Sequence, residues 1–291
     1  MESNVFDKLG LGCWGFAGDS YGPISENDVL QILNLAFDYG IKYYDTSDSY
    51  GAGRSESLLG KFIKGIGKNR ERIKISTKGG LLPHKTFYMP TNFSANYIDN
   101  CINNSLKRLK TEKIDIYNLH SPNVTDIIEN EELLNTLEKR KRQGDIVEIG
   151  LSARSPQDAV ELANIFNFDS VQVNYNLIDQ RMTENLEFTK IFSNKRVIAR
   201  TPFAFGYLVG SVPIEQALLS EDDHRKKWDK EQINLWNSAI KKFSKFRKDN
   251  QLSEVECALL FALTEGIVDH VIPGMMNVNE VKQNIKAAKK K

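Results

Sequence analysis

Residues 43–51, Tyr43-Tyr44-Asp45-Thr46-Ser47-Asp48-Ser49-Tyr50-Gly51, begin as a strand-like run and turn into a polar loop. The stretch places an acid at the end of the predicted strand and a phenol five residues later. Downstream, Lys78 follows the apolar run 73–77, and His120 follows the apolar run 114–119. An Asp, a Tyr, a Lys and a His that leave the same ends of successive strands indicate a proton-transfer site.

The chain around this stretch alternates predicted strands with predicted helices. An amphipathic helix from Ser25 precedes the stretch, and a second helix is predicted from about Arg54 to Ile66. Strands are further predicted at residues 8–14, 73–77, 114–119, 146–151, 170–174, 196–200 and 271–272. Helices are further predicted near 94–109, 129–142, from 155, and at 183–193, 231–248, 253–263 and 278–289. Such alternation predicts parallel pairing, and eight units in 291 residues predict an α/β fold, a single (β/α)8 TIM barrel.

Two other architectures are compatible with the length of the chain. A doubly wound sheet usually has fewer units and a glycine-rich turn that leads directly into a helix. Here residues 10–15 supply the glycines without a helix directly after them, so we do not interpret them as a dinucleotide fingerprint. The length also suits two smaller domains, but no linker or change of composition marks a boundary. We therefore expect residues 1–291 to form one domain.

Composition narrows the class of protein. Lysine plus arginine (39) balances aspartate plus glutamate (38), which argues against a nucleic-acid partner. No apolar run approaches the ~20 residues of a membrane span, and the first residues do not resemble a secretory signal. Cys13, Cys101 and Cys257 are odd in number and far apart, so we expect no metal site and no disulfide framework. This usage fits a reduced, cytoplasmic protein.

The four polar residues suggest a specific division of roles. A lone phenol titrates near pH 10, and a buried ammonium beside it is expected to lower that pKa. Tyr50 would then be the general acid, Lys78 its activator, Asp45 the partner of Lys78, and His120 the residue that orients the substrate oxygen. Protonating a carbonyl oxygen requires a hydride at its carbon, which no side chain supplies, so a nicotinamide cofactor is implied.

Each of these residues also has an ordinary structural explanation. Asp45 could be a turn residue, Tyr50 loop packing, Lys78 a surface charge, and His120 a histidine at a strand end. Their shared position at one end of one predicted barrel favours the functional interpretation. Two long segments at the same end, residues 79–93 and 203–229, are expected to be lids or specificity loops.

Five motifs in order make the whole chain resemble the aldo-keto reductase family. They are Leu9-Gly10-Leu11-Gly12, residues 45–51, Ser55-Glu56-Ser57-Leu58-Leu59-Gly60, Ser76-Thr77-Lys78 and Leu119-His120-Ser121-Pro122. The resemblance implies a nicotinamide-dependent barrel enzyme that reduces aldehydes or ketones, or oxidises alcohols. It also implies that Asp45, Tyr50, Lys78 and His120 fill the roles given above.

The resemblance also implies cofactor-binding residues. Ser152 and Gln172 would hold the carboxamide, although Ala153 stands where the family usually has asparagine, and Arg200 would stack on the nicotinamide. The pyrophosphate loop would be lined by Thr201, Phe203, Phe205, Gly206 and Leu208. The adenosine site would be formed by Gly274, Met276, Glu280, Gln283 and Asn284.

The family default is NADP(H), but Glu280 leaves NAD(H) open. It lies where an arginine often holds the 2′-phosphate, and a carboxylate repels a phosphate but accepts a hydrogen bond from a free ribose hydroxyl. Alternatively, Glu280 completes a capping box with Asn277. Lys282 or Lys286 could still reach a phosphate.

The expected partner is a small-molecule carbonyl or alcohol substrate, and monomer and homo-oligomer both stay open. The chain ends soon after its last predicted helix, so we expect an open site that admits a bulky polar substrate such as a sugar or sugar conjugate. Two alternatives are an enzyme that retains its nicotinamide for epimerisation or elimination, and a catalytically silent cofactor-binding subunit.

Overall fold

Eight parallel strands form the centre of the protein, whose computed structural model describes residues 5–82, 89–212, 218–219 and 223–290. They are β1 (Leu11–Gly12), β2 (Tyr43–Asp45), β3 (Lys74–Gly79), β4 (Ile114–His120), β5 (Ile146–Ser152), β6 (Ser170–Asn174), β7 (Arg196–Arg200) and β8 (His270–Ile272). Each strand pairs with the next in sequence order. The amide of Gly10 donates to the Val271 oxygen at 2.8 Å, and that of Gly12 donates to the Pro273 oxygen at 2.9 Å. These bonds join β1 to β8, so the predicted (β/α)8 barrel is confirmed.

Helices follow the strands in the order expected for the barrel. They are α1 (Glu26–Asp38), α2 (Arg54–Ile66), α3 (Ala95–Leu109), α4 (Glu131–Gln143), α5 (Pro156–Ile165), α6 (Arg181–Glu184), α7 (Leu186–Phe192), α8 (Lys230–Asp249), α9 (Glu254–Leu263) and α10 (Val278–Ala288). Most begin at a side-chain cap, such as Ser25 before α1 and Ser253 before α9. Within the described residues, no helix combines the length and the apolar character needed to cross a membrane.

The helix predicted at residues 183–193 is instead two short helices, α6 and α7. Asn185 separates them with a non-helical backbone (φ −87°, ψ 99°), and its side chain accepts a hydrogen bond from the Phe188 amide at 2.9 Å. An asparagine can satisfy a free helix N-terminus by itself, and here that local bond replaces the continuous helix.

The first strand is shorter than the predicted range of 8–14. A 3-10 helix at Trp14–Ala17 ends it, and α1 begins only at Glu26, so the glycines do not lead into an α-helix. A Cβ on Gly10 or on Gly12 would lie 3.0 Å from an atom of Ile272. The two glycines therefore let β1 approach β8 closely enough to close the barrel.

A layer of large apolar side chains inside the barrel supports the functional end. Tyr43, Ile116, Ile198 and Ile272 form this buried cluster. Side chains two or four residues apart on a strand point to the same face, so Tyr43 lies below Asp45 and Ile116 lies below His120. A larger core between the strands and the helices buries Val29, Ile32, Leu33 and Ala36 of α1, as their spacing predicts.

Two glycines in α2 provide a matched test of helix packing. A Cβ on Gly60 would lie 2.0 Å from the backbone oxygen of Arg108 in α3, whereas a Cβ on Gly65 would meet nothing within 4 Å. We expect Gly60→Ala to lower the free energy of unfolding by ~1–3 kcal/mol, because α2 and α3 must separate. Gly65→Ala should raise it by ~0.5–1 kcal/mol through helix propensity. Urea denaturation measures both, and equal effects of the two changes would contradict the packing account.

Candidate active site

The four candidate catalytic residues lie at the carboxyl-terminal ends of three neighbouring strands. Asp45 ends β2, Lys78 lies near the end of β3, and His120 ends β4. Tyr50 lies in the turn between β2 and α2. Parallel strands in register bring these ends to one rim of the barrel, so one loop and three strands place four side chains around one point.

Lys78 is the centre of this cluster and is completely buried. Its Nζ donates to Oδ1 of Asp45 at 2.5 Å and to the Thr46 carbonyl oxygen at 2.8 Å. The Tyr50 hydroxyl lies 3.4 Å from the same nitrogen. The ammonium therefore contacts the acid, the backbone and the phenol at once.

Opposing effects determine the protonation state of Lys78. Burial by itself lowers the pKa of the ammonium, but the charge of Asp45 and the contact with Tyr50 outweigh burial and raise the pKa above its ordinary value. Lys78 is therefore a cation at neutral pH even though water does not reach it.

The pKa of Tyr50 departs from the sequence-based expectation. Burial raises the pKa of this phenol, and Lys78 and Arg200 offset only part of the increase. Lys78 therefore lowers the pKa of Tyr50, as expected, but the desolvation of a phenolate outweighs this effect, so the net shift of the pKa is upward. Tyr50 is a neutral phenol at neutral pH, which is the form that can donate a proton.

The second oxygen of Asp45 is also bound. Oδ2 accepts from Ser76 Oγ at 2.9 Å and from Gln172 Nε2 at 2.8 Å, and Gln172 Oε1 lies 3.4 Å from Ser152 Oγ. These bonds hold the carboxylate in place against Lys78. Sequence reasoning missed Ser76, although its position two residues before Lys78 puts it on the same strand face. It assigned Ser152 and Gln172 to a cofactor and missed their link to Asp45.

His120 lies beside Tyr50 and contacts a residue that the sequence did not single out. The two rings are 6.0 Å apart between centroids and nearly perpendicular. Nδ1 of His120 lies 3.0 Å from Ser47 Oγ. Ser47 was quoted only as part of the loop, and no local signal marks it, because its contact with His120 joins residues 73 positions apart.

Two buried donors fit a nicotinamide cofactor. Arg200 donates from Nη2 to the Ala153 oxygen at 2.8 Å, while its Nε has no hydrogen-bond partner among the described residues. Likewise, Nδ2 of Asn284 is buried and lacks a partner within the described part of the chain. A buried donor without a hydrogen-bond partner costs folding free energy. These two donors belong to residues that are expected to contact the nicotinamide end and the adenosine end of the cofactor. The residues present therefore fit a bound dinucleotide.

The loop after β7 has an unusual backbone. Thr201, Ala204, Phe205 and Gly206 all have positive φ, between 44° and 96°. Such a run is a tightly wound loop rather than a regular helix, and loops of this kind can expose amide groups toward an anion.

The side chains of this loop mainly pack. Leu208 is buried against Ala258, and Phe203 lies at the edge of the same cluster. The ring of Phe205 lies 5.9 Å from that of Trp14 and 4.9 Å from that of Trp228.

Glu280 takes part in capping at the amino-terminal end of α10. Its Oε2 accepts from the Met276 amide at 2.7 Å and its Oε1 accepts from Nδ2 of Asn277 at 2.8 Å. Asn277 Oδ1 accepts in return from the Glu280 amide at 3.0 Å. Asn277 therefore caps α10 and Glu280 supports that cap, but the Glu280 carboxylate accepts from the Met276 amide rather than from the Asn277 amide, so the pair is not the complete capping box of the alternative above. Nearby, Gly274 and Gln283 are exposed.

An aromatic wall borders the site and was not predicted. It consists of Trp14, Tyr21 and His224. The ring of Trp14 lies 6.3 Å from that of Tyr50, 5.2 Å from that of Tyr21 and 4.7 Å from that of His224. Only Trp14 has a clear sequence signal, because it is the last residue of the predicted first strand, 8–14.

The two expected lid segments lie partly outside the described residues. In the first, the Leu82 amide donates to Pro90 at 2.9 Å and the Asn92 amide donates to Gly80 at 2.8 Å, so its two ends are paired. In the second, Arg225 donates to the Phe205 oxygen at 2.9 Å, which ties this segment to the loop after β7.

Known proteins are similar to this chain along most of its length. The chain is 29% identical over 297 residues to the aldo-keto reductase yakc [NADP(+)] of Schizosaccharomyces pombe, covering 100% of this chain and 86% of that protein. It is 27% identical over 284 residues to L-galactose dehydrogenase of Arabidopsis thaliana, covering 93% and 81%. The solved structure of aldo-keto reductase AKR11C1 from Bacillus halodurans superposes with a TM-score of 0.75 at 26% identity, covering 98% and 87%. The Aldo/keto reductase family model, whose members use NADP(H), matches residues 8–291, so this chain belongs to that family of NAD(P)-dependent oxidoreductases.

Proposed function

We propose that this protein reduces an aldehyde or ketone with NADP(H), with Tyr50 as the general acid. The observation that supports this most strongly is the 3.4 Å contact of the Tyr50 hydroxyl with the buried Lys78 ammonium. A neutral phenol next to a fixed cation can give up its proton when negative charge develops on a carbonyl oxygen.

Each of the four side chains has one role in this proposal. A bound nicotinamide supplies the hydride to the carbonyl carbon. Tyr50 donates its proton to the carbonyl oxygen, so the product is an alcohol, and Lys78 stabilises the phenolate left behind. Asp45 keeps Lys78 charged, and His120 orients the oxygen. In alcohol oxidation the same proton returns to Tyr50.

The aromatic wall suggests a substrate class. The flat, apolar ring of Trp14 lies next to Tyr50, and the rings of Trp14, Tyr21 and His224 all contact one another. Such surfaces pack against the C–H faces of a sugar while its hydroxyl groups contact polar groups. We propose sugars and polyols as the substrates, and the similarity to L-galactose dehydrogenase supports this choice. We also propose that residues 1–291 act as one cytoplasmic unit, since all three cysteines are buried free thiols.

The alternatives of a cofactor-retaining epimerase and a silent binding subunit are less favoured. A subunit that had lost catalysis would not need the costly burial of Lys78 and Asp45 next to Tyr50.

Replacing Tyr50 with Phe removes the proposed proton donor and little else. We expect the reduction of aldoses and small aldehydes to fall by ~10²–10⁴-fold, because one general acid contributes about that much. NADPH affinity, measured by quenching of tryptophan fluorescence, should stay within about twofold. Tyr39→Phe, which changes a phenol on the surface, is the matched control. Tyr50→Phe enzyme with wild-type turnover would disprove the assignment.

Breaking the central ion pair should destabilise the fold. Lys78→Met leaves Asp45 buried without its cation, so we expect the free energy of unfolding to fall by ~3–5 kcal/mol. Converting Asp45 to Asn in the same chain should recover much of that loss, since the uncompensated charge is then gone. The control is Lys61→Met, which breaks a pair with Glu26 that is similarly short, 2.6 Å, but exposed, and this change should cost at most about 1 kcal/mol. Urea denaturation at neutral pH compares the three, and similar losses for Lys78→Met and Lys61→Met would contradict the account.

A further inference from the structure

We propose that Ser47 and Asp48 form a relay to His120 that sets which ring nitrogen of His120 carries the proton. The inference rests on the proposed function, in which His120 orients the substrate oxygen. Ser47 and Asp48 would be positioning residues, since neither is placed in contact with the reacting atoms.

The relay is a continuous chain of polar contacts. Ser47 Oγ is buried and lies 3.0 Å from Nδ1 of His120 and 3.3 Å from Oδ1 of Asp48. Ser49 Oγ and the Lys78 carbonyl oxygen also lie near it, at 3.0 and 3.4 Å. A hydroxyl has a single proton, so Ser47 can donate to the imidazole or to the carboxylate but not to both.

The ionised form of Asp48 favours one tautomer of His120. A carboxylate attracts the Ser47 proton, and the Ser47 oxygen then accepts a hydrogen bond from Nδ1–H of His120. A neutral ring with its proton on Nδ1 has a lone pair on Nε2. That nitrogen can accept a hydrogen bond from an alcohol, which suits oxidation.

The protonated form of Asp48 favours the other tautomer. Asp48 takes one proton from solvent and donates it in a hydrogen bond to the Ser47 oxygen. The Ser47 hydroxyl then turns to donate to Nδ1, so the neutral ring loses its Nδ1 proton and gains one on Nε2. Nε2–H can donate to a carbonyl oxygen, which suits reduction.

The surroundings of Asp48 make such a change of protonation accessible near neutral pH. Burial and the neighbouring Glu56 raise the pKa of Asp48 to about 7, although Cys101, Arg108 and Ser47 offset part of that increase. Glu56 itself is fixed, since it accepts from Thr77 and from Arg108 at 2.6 Å each. Tyr97 and Tyr117 also interact electrostatically with Asp48, and Tyr50 lies beside His120.

A structural role for Asp48 would look different. Its amide donates to the Lys78 oxygen at 3.1 Å, and this backbone bond would persist in any variant of the side chain. If the side chain only supported the loop, replacing it would change stability without changing the tautomer of His120 or the preferred direction of the reaction.

The tautomer can be observed directly by NMR of the full-length protein labelled with ¹⁵N-histidine. The chain has 4 histidines, and the signal of His120 is the one missing from His120→Gln. Long-range ¹H–¹⁵N spectra distinguish the two neutral forms. We expect a shift from Nε2–H to Nδ1–H between about pH 6 and about pH 8.5 in the wild type. Asp48→Asn, which cannot ionise, should keep Nε2–H throughout, whereas Asp249→Asn, at an exposed position at the end of α8, should match the wild type.

Kinetics give an independent readout. The ratio of kcat for oxidation to kcat for reduction should rise with pH around a midpoint near neutrality in the wild type. In Asp48→Asn the ratio should no longer show this midpoint. At pH values above the wild-type midpoint, the ratio should be about tenfold lower than in the wild type, which is the effect of about one hydrogen bond. Ser47→Ala should remove the same midpoint, and the double variant should resemble Ser47→Ala, because residues in one relay are not additive.

Three outcomes separate this inference from the proposed function. A wild-type tautomer shift in Asp48→Asn, or independent effects of Ser47→Ala and Asp48→Asn, would overturn the relay. If either of these results is found and the Tyr50→Phe enzyme is inactive, the relay is wrong but the proposed function still holds. If instead Tyr50→Phe is active, the proposed function fails, and the NMR shift still tests whether Asp48 controls the ring.

Discussion

A charged ammonium with no access to water is the constraint on which the site depends. Transferring Lys78 into the barrel costs several kcal/mol unless its charge is compensated, and Asp45 at 2.5 Å provides most of that compensation. Asp45 in turn needs donors on its second oxygen, which Ser76 and Gln172 supply. Asp45 lies on β2, Lys78 and Ser76 lie on β3, and Gln172 lies on β6. Their contacts therefore fix the relative positions of these three strands. Tyr50 lies next to this fixed positive charge, which stabilises the phenolate that remains after Tyr50 donates its proton.

The barrel explains how a short sequence motif and two distant residues form one site. Parallel strands in sequential order present their carboxyl-terminal ends on one rim, where Asp45, Lys78 and His120 lie on neighbouring strands. The apolar layer of Tyr43, Ile116, Ile198 and Ile272 fills the interior below them. A packed interior limits the movement of the polar groups above it, which is what proton transfer over short distances requires.

Much of this arrangement could be predicted, because it depends on periodicity. Alternating strands and helices predict the barrel, and the position of a polar residue at the end of an apolar run predicts its place at the rim. Local hydrogen bonds at helix ends were harder to predict. Asn185 ends one helix and starts another, which the periodicity did not show. For Glu280 the sequence left helix capping and cofactor binding both open, and in the structure its carboxylate bonds at the start of its own helix. The direction of the pKa shift of Tyr50 depends on the balance between burial and charge, which a sequence does not give. Ser47 was missed because its importance comes from its distance to His120, 73 residues away.

The central claim is that the Lys78 ammonium stabilises the ionised form of Tyr50 across their 3.4 Å contact. Ultraviolet difference titration measures this directly, with Tyr50→Phe protein subtracted so that only the phenol of Tyr50 contributes. The comparison is between the wild type and Asp45→Asn/Lys78→Met, in which both charges of the pair are absent. Because Lys78 lowers the pKa of Tyr50 more strongly than Asp45 raises it, the account predicts a higher pKa in the double variant. A pKa that is unchanged or lower would contradict it.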